Sequence, residues 1–213
     1  MTNQKIGYQR DGASENAWTA RLFDGMDDAS KLRHAMVRPG REQLSGDVEV
    51  DETVLGGLAP GDQGRREKNI VIIAPESRGQ GIGRIRLAQL PDQAGSHIVN
   101  FVTANVAKGA LIVSDGEWAY TWLKKEGYRH QRIPKAGSKE LPRVHRIASL
   151  LKRWLLGTFQ GHASDKHLQR YLDEFAFRFN RRNSALRGQL FYRLVQQCVG
   201  RSPTSYAAII QAS

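Results

Sequence analysis

Cysteine, long apolar runs and a signal sequence are what this sequence lacks. Cys198 is the single cysteine among 213 residues, which excludes an internal disulfide framework and a zinc site built from several cysteines. No apolar run approaches the length of about eighteen residues that a membrane span needs. Residues 1–18 contain no apolar core of a secretory signal. These absences predict a cytoplasmic protein with no membrane partner.

Positive charge is what the sequence has in excess. The formal net charge is +11, and its distribution is uneven. Residues 124–190 hold 16 Lys and Arg against 5 Asp and Glu, whereas the rest of the chain holds 16 of each. A basic segment of this kind favours a polyanionic partner, most often nucleic acid. The alternative is a solvated helical surface with a basic bias.

The order of the predicted elements indicates a mixed α/β fold. Three strands that alternate or run apolar form an antiparallel meander, followed by a helix, a buried strand, a helix, a fifth strand and further helices. The predicted strands lie in 46–57, 69–76, 84–90, 110–115 and 128–133, and the predicted helices in 95–109 (opened by Ser96 and closed by Gly109), 117–127, 143–157 and 164–180. This order matches an RNase H-like mixed sheet of about five strands flanked by helices, although by pattern alone it is one topology among several.

Two aspartates lie where strands of such a sheet place chemistry. Asp51 stands within the acidic stretch "DVEVDE", in which Val48 and Val50 share one face and the acids the other. Asp115 ends a buried strand, where open α/β sheets form their sites. Two neighbouring carboxylates repel unless a cation lies between them, and Mg²⁺ prefers such ligands. The alternatives are a solvated strand face for Asp51 and an Asx turn for Asp115.

A third set of polar residues lies on the helix predicted for residues 143–157. His145 and Lys152 are seven residues apart, hence separated by only about 20° around the helix axis. A metal-binding histidine with a phosphate-binding lysine two turns away would suit this spacing, and a surface histidine with a snorkelling lysine is the alternative. Arg146 and Arg153 fall on the far, solvent side. The apolar arc beside them comprises Val144, Ile147, Ala148, Leu150, Leu151, Trp154 and Leu155.

Four stretches in order resemble a known family. They are "VRPGREQLSGDVEVDETVLGG", "LIVSDGEWAY", "LPRVHRIASLLKRWLLGTFQG" and "HLQRYLDEFAFRFNRR". Together they resemble the catalytic domain of bacterial insertion-sequence transposases of the ISXO type, members of the DDE/RNase H-like superfamily. The resemblance runs from about residue 31 to residue 200.

The resemblance implies metal-dependent cleavage and strand transfer of DNA phosphodiesters. It places the catalytic acids on Asp51 and Asp115, the third ligand on His145, and a phosphate-contacting lysine on Lys152. Two divalent ions, Mg²⁺ or Mn²⁺, would be held by the first three, with Glu52 as an outer partner. Many relatives carry Glu or Asn at the third position, and a neutral His favours a borderline ion such as Mn²⁺.

The implied partner is double-stranded DNA, at the element ends and at the target, bound by a homo-oligomer. The candidate phosphate contacts are Arg146, Arg153, Arg178, Arg181 and Arg182. Relatives begin with a zinc ribbon and a helix-turn-helix, which this chain lacks, so we expect it to be shortened at its start. Residues 1–45 then form a linker or remnant, 46–195 the catalytic domain and 196–213 a tail. A catalytically inactive DNA-binding remnant and an RNase H-like nuclease acting on another nucleic acid are the alternatives.

Overall fold

The elements below come from a computed structural model, which describes residues 29, 31–56, 68–115, 122–133, 140–159 and 167–200. The strands are β1 (Asp47–Glu49), β2 (Asp51–Leu55), β3 (Asn69–Arg78), β4 (Gly81–Leu90), β5 (Leu111–Ser114) and β6 (Arg129–Arg132). The helices are α1 (Gly95–Asn105), α2 (Pro142–Phe159), α3 (Leu168–Asn180) and α4 (Leu190–Val199), with a short 3₁₀ turn at Arg187–Gln189. Of the helices described, none has the length and apolar character needed to span a membrane.

The sheet combines an antiparallel meander with parallel strands. β3 pairs antiparallel with β4 on one side and with β1 and β2 on the other, while β5 pairs parallel with both β1 and β6. β1 and β2 form one stretch interrupted at Val50, whose N–H donates to the carbonyl of Val113 at 2.9 Å. The predicted RNase H-like mixed sheet is confirmed. It has six strands because the first predicted strand is broken in two.

Helices cover both faces of this sheet. On one face, Val48, Val50 and Ile72 pack against Ile98 and Val102 of α1. The other face carries a second core cluster, in which side chains of β2, β3 and β4 pack against α2 and α3. Its members include Leu55, Ile73, Ile85, Leu87, Val144, Ile147, Leu151 and Leu172. The central strand β3 is therefore buried on both faces, as expected where helices flank a mixed sheet.

The boundaries of α1 differ from the predicted ones. The helix begins at Gly95 and ends at Asn105, with Ala94 as its N-cap. Ser96 lies inside the helix and does not cap it, and Ala94 has no side chain that could do so. Before the helix, Asp92 Oδ1 accepts the Ala94 N–H at 2.8 Å and contacts His97 Nδ1 at 2.7 Å. Gly109 lies beyond the helix in a turn with φ of 83°, a conformation that favours glycine.

α3 protects the edge of the sheet formed by β4. Asn180 accepts the Ile85 N–H at 2.7 Å and donates back to the Ile85 carbonyl at 3.1 Å. Gln169 accepts the Gln89 N–H at 2.9 Å. These amides take the place of a neighbouring strand, so the backbone of β4 is not free to pair with another chain.

Candidate active site

The two predicted aspartates lie just beyond the parallel ladder between β1 and β5. Val48 is paired with Ile112 and Glu49 with Val113 in the parallel ladder between β1 and β5. The Val50 N–H to Val113 carbonyl bond continues this ladder. Asp51 and Asp115 follow this ladder by two residues each, and the same offset of 64 residues separates them.

Both aspartates face the side of the sheet that α2 covers. Asp51 is paired across the antiparallel ladder with Ile73, and paired residues project from the same face. Ile73 belongs to the second core cluster, and Val113, two residues before Asp115, packs against it. By the alternation of strand side chains, Asp115 projects to the same side as Val113. Both carboxylates thus lie on the α2 side and are half-buried.

Local contacts hold the two strand ends. Asp51 Oδ1 accepts the backbone N–H of Glu52 at 2.8 Å, and Glu52 is itself half-buried. Ser114, which precedes Asp115 and is fully buried, contacts His130 Nε2 through its hydroxyl at 2.9 Å. Burial, together with the cations of Lys124 and Arg132, lowers the pKa of His130. A neutral His130 therefore buttresses the end of β5, a role that its place in "YRHQRI" did not indicate.

His145 lies in the first turn and a half of α2. Its ring is half-buried, and its Nε2 atom is buried without a hydrogen-bond partner among the described residues. Such an atom is uncommon, since buried polar groups are nearly always satisfied. Lys152 is exposed two turns further along. The burial along α2 follows the predicted apolar arc, from Val144 to Leu155.

Glu49 is the residue near this site that the sequence reasoning missed. The strand pattern places it on the same acidic face as Asp51 and indicates no separate role for it. Its carboxylate is only 3% exposed and accepts the backbone N–H groups of Arg143 and Val144 at 2.9 and 3.0 Å. It also forms an ion pair with the Arg143 guanidinium at 2.8 Å. Glu49 therefore caps the N-terminus of α2 and fixes the helix that carries His145.

The structure does not assemble a three-ligand metal group from these residues. Within the part of the chain that it describes, no set of three or more His, Cys, Asp or Glu side chains is arranged to hold an ion. The donor chemistry nevertheless fits a divalent ion, since Asp51 and Asp115 offer carboxylates and His145 has a buried nitrogen with no partner among the described residues. Neighbouring carboxylates repel when no cation separates them.

The predicted phosphate contacts fall into two groups. Arg146 and Arg153 are exposed on α2. At the end of α3, Arg178 is ion-paired with Glu174 at 2.8 Å, and Arg181 lies over the Phe177 ring. Arg182 donates to the carbonyls of Ile82, Gly83 and Phe179, which fastens the end of α3 to the start of β4.

One family model and several solved structures are similar to this chain. Residues 43–180, more than half of the chain, match the family model of the ISXO2-like transposase domain. No curated protein matches the chain significantly. The catalytic core domain of BIV integrase is similar at a TM-score of 0.45 and 14% identity, covering 71% of this chain and 95% of that one.

Two further solved structures are similar to the chain. The simian T-cell lymphotropic virus intasome, in complex with the PP2A regulatory subunit B56 gamma, gives a TM-score of 0.48 at 14% identity, covering 70% of this chain and 55% of that one. The Mos1 transposase paired-end complex gives 0.33 at 11% identity, covering 92% and 67%.

Proposed function

Since this chain belongs to the family of ISXO2-like transposase domains, we propose that it cuts and rejoins DNA phosphodiesters with the help of divalent metal ions. In this proposal Asp51, Asp115 and His145 hold the ions, and Lys152 contacts a phosphate near the cut. Two ions are expected, either Mg²⁺ or Mn²⁺, and the substrate is double-stranded DNA.

The register of β1 and β5 is the observation that carries the proposal. Asp51 and Asp115 each follow the paired residues Glu49 and Val113 by two positions, which supports a shared site on the face that α2 covers. Two carboxylates on adjacent strands gain little from each other as structural groups, because their charges repel. A bound cation would offset this repulsion. His145 supports the same interpretation, since its buried Nε2 has no other described partner.

The residues of the chain divide the work of such a site. When bound, divalent ions supply activation of the attacking oxygen and stabilisation of the leaving oxygen in an in-line displacement. Asp51 and Asp115 provide the hard oxygen ligands. His145 provides a neutral nitrogen, which favours Mn²⁺ over Mg²⁺. Glu49 positions α2, and so positions His145, through the contacts at the helix N-terminus.

DNA is proposed to lie along the exposed side of α2. Arg146, Lys152 and Arg153 are exposed there, and none of them is drawn into a described ion pair. These cations would position the backbone without reading sequence. Assembly of more than one copy on DNA, and a cytoplasmic location, remain predictions from the family resemblance and the composition.

Nicking of a supercoiled plasmid in Mn²⁺ tests the proposal. The 213-residue chain is compared with Asp51→Asn, Asp115→Asn and the control Asp47→Asn, which removes an exposed carboxylate from the adjoining strand β1. We expect both site variants to lose nicking by at least about 100-fold, because each loses a metal ligand. DNA affinity should stay within about twofold, since the phosphate contacts are unchanged.

The outcomes separate the candidate functions. Nicking that survives Asp51→Asn shows that the activity is a contaminant or that the site is elsewhere. Binding of DNA with no nicking by the wild type, in Mn²⁺ and in Mg²⁺, favours an inactive DNA-binding remnant. Preference for an RNA–DNA hybrid over duplex DNA favours a nuclease of the RNase H-like class.

A further inference from the structure

A second basic site lies away from the acidic pair. A groove of about 320 Å³ runs between residues 36–42, β4 and the end of α3. Arg86 is its innermost cation, and it alternates along β4 with Ile85 and Leu87, which face the α2 side. Arg86 therefore projects from the opposite face of the sheet. β3 lies between β4 and the strand that carries Asp51.

The arginines of this groove lack acidic partners. Arg38, Arg41, Arg86 and Arg181 line it, and no described carboxylate lies within ion-pair distance of any of the four. Arg84, which also lines it, is neutralised by Glu76 and Glu42 at 2.8 and 3.1 Å. The groove thus keeps a cluster of positive charge.

Arg86 is the most deeply buried cation of the groove, and its charge is only partly compensated. Its side chain is buried, at 5% exposure. It donates to the carbonyls of Ile85 and Glu42 at 3.1 and 2.7 Å, but its buried Nε–H has no partner among the residues that the structure describes. Neutral carbonyls compensate a buried guanidinium only in part. Burial, with the neighbouring cations of Arg41, Arg84 and Arg181, lowers the pKa of Arg86 to about 10.

Two acids line the groove: Glu42, which pairs with Arg84, and Asp173, which opposes the remaining arginines only weakly. Asp173 lines the groove and accepts a hydrogen bond from Gln169 at 3.1 Å. Burial raises the pKa of its carboxyl to about 6, although Gln169, Arg41 and Arg170 act to lower it. Because the Asp173 carboxyl gives up its proton less readily than an ordinary aspartate, it neutralises the surrounding arginines less well than a phosphate would.

We propose that this groove binds a backbone phosphate of DNA through Arg41, Arg86 and Arg181. Arginine forks match phosphate oxygens and remain charged when partly desolvated. Arg38 stands exposed at the mouth, where the neighbouring phosphate of a strand would pass. That the phosphate belongs to DNA rests on the proposed function. Its place beyond β3, on the other face, separates it from the phosphodiester that is cut.

Fluorescence anisotropy of a labelled DNA duplex in EDTA tests the site without metal or cleavage. The double variant Arg41→Gln, Arg181→Gln is compared with the double control Lys124→Gln, Arg193→Gln, which removes two exposed cations outside the groove. We expect the groove variant to bind at least tenfold more weakly and the control to change by less than about twofold. Its slope of log affinity against log salt should fall by about 1 to 2, because phosphate contacts are lost.

Two single variants guard against misfolding. Arg38→Gln changes an exposed side chain, so the fold is preserved, and its affinity for DNA should fall by about threefold. Asp173→Asn removes the opposing acid and should tighten DNA binding at pH 7. If DNA bound to a basic surface elsewhere on the chain, replacing the half-buried Asp173 would leave the DNA affinity unchanged.

The possible results either support or overturn the binding of a DNA phosphate in the groove. Equal affinity and salt slope in the groove variant and the control overturn the proposal, as does unchanged binding by Asp173→Asn. Inorganic phosphate could instead protect the wild type in a thermal unfolding assay. If the groove variant loses this protection but keeps its DNA affinity, the groove binds free phosphate and not DNA. The wild type could also fail to nick DNA while the groove variant still loses DNA affinity. This result supports DNA binding in the groove and refutes only the proposed cleavage.

Discussion

Removing the Glu49 carboxylate should weaken the fold through the N-terminus of α2. In Glu49→Ala, the N–H groups of Arg143 and Val144 lose their acceptor and the Arg143 guanidinium loses its ion pair. Arg143 retains its bonds to the carbonyls of Gly79 and Gly81, so the loss is smaller than for an isolated buried charge. We expect destabilisation of about 3 kcal/mol, between one lost buried hydrogen bond and a broken buried pair.

This loss should be visible in thermal and urea unfolding. At about 2–4 °C per kcal/mol for a chain of this size, the midpoint should fall by roughly 6–12 °C. Glu49→Gln keeps the shape and one acceptor, and should lose about 1–2 kcal/mol. Asp47→Asn, an exposed acid of the same strand, serves as the control and should shift the midpoint by about 1 °C or less. Equal midpoints for Glu49→Ala and Asp47→Asn would refute the capping role.

Three further changes probe other parts of the structure by urea unfolding. Asn180→Ala leaves the Ile85 N–H and carbonyl unpaired at the sheet edge, so stability should fall by about 1–3 kcal/mol; no change would show that the edge is satisfied otherwise. Asp173 has a folded pKa of about 6, above its ordinary 3.8, so between these pH values the unfolded state gives up the proton first and stability falls as pH rises. Asp173→Asn should remove that fall, and an unchanged pH profile would contradict it. Glu76 has a pKa lowered to about 2, because hydrogen bonds from Arg84 and the backbone outweigh the effect of burial. Glu76→Gln should therefore be destabilised at pH 7, and the difference from wild type should shrink as pH falls from about 4.5 to 2; a constant difference would contradict the shift.

The sequence pattern was enough to predict the buried face of a single helix and the order of the elements in the sheet. The apolar arc of α2 follows from helical spacing, and its buried residues are those of the predicted arc. The meander followed by parallel strands follows from the order of elements, and the observed sheet has this arrangement. A shared site for Asp51 and Asp115 stays a prediction, because the paired register of β1 and β5 ends at Glu49 and Val113.

Long-range contacts are what the sequence pattern could not show. Alternation assigns Glu49 to a strand face, but its partner Arg143, in the first turn of the helix that covers this face, lies 94 residues later. The same holds for Arg86, whose place on β4 is evident while its burial under residues 36–42 is not. The start of α1 was predicted at Ser96 because serine is a common cap, whereas the helix begins at Gly95 after Ala94 and has no side-chain cap.

Titration calorimetry with Mn²⁺ tests the central claim most directly. It is measured in the presence of a non-cleavable DNA duplex, because substrate phosphates complete the coordination of such ions. The account predicts that the wild type binds Mn²⁺, that His145→Ala and Asp51→Asn each weaken binding by at least about tenfold, and that the control His97→Ala binds like the wild type. Equal binding by all four proteins, or no binding by the wild type, would contradict the metal site formed by Asp51, Asp115 and His145.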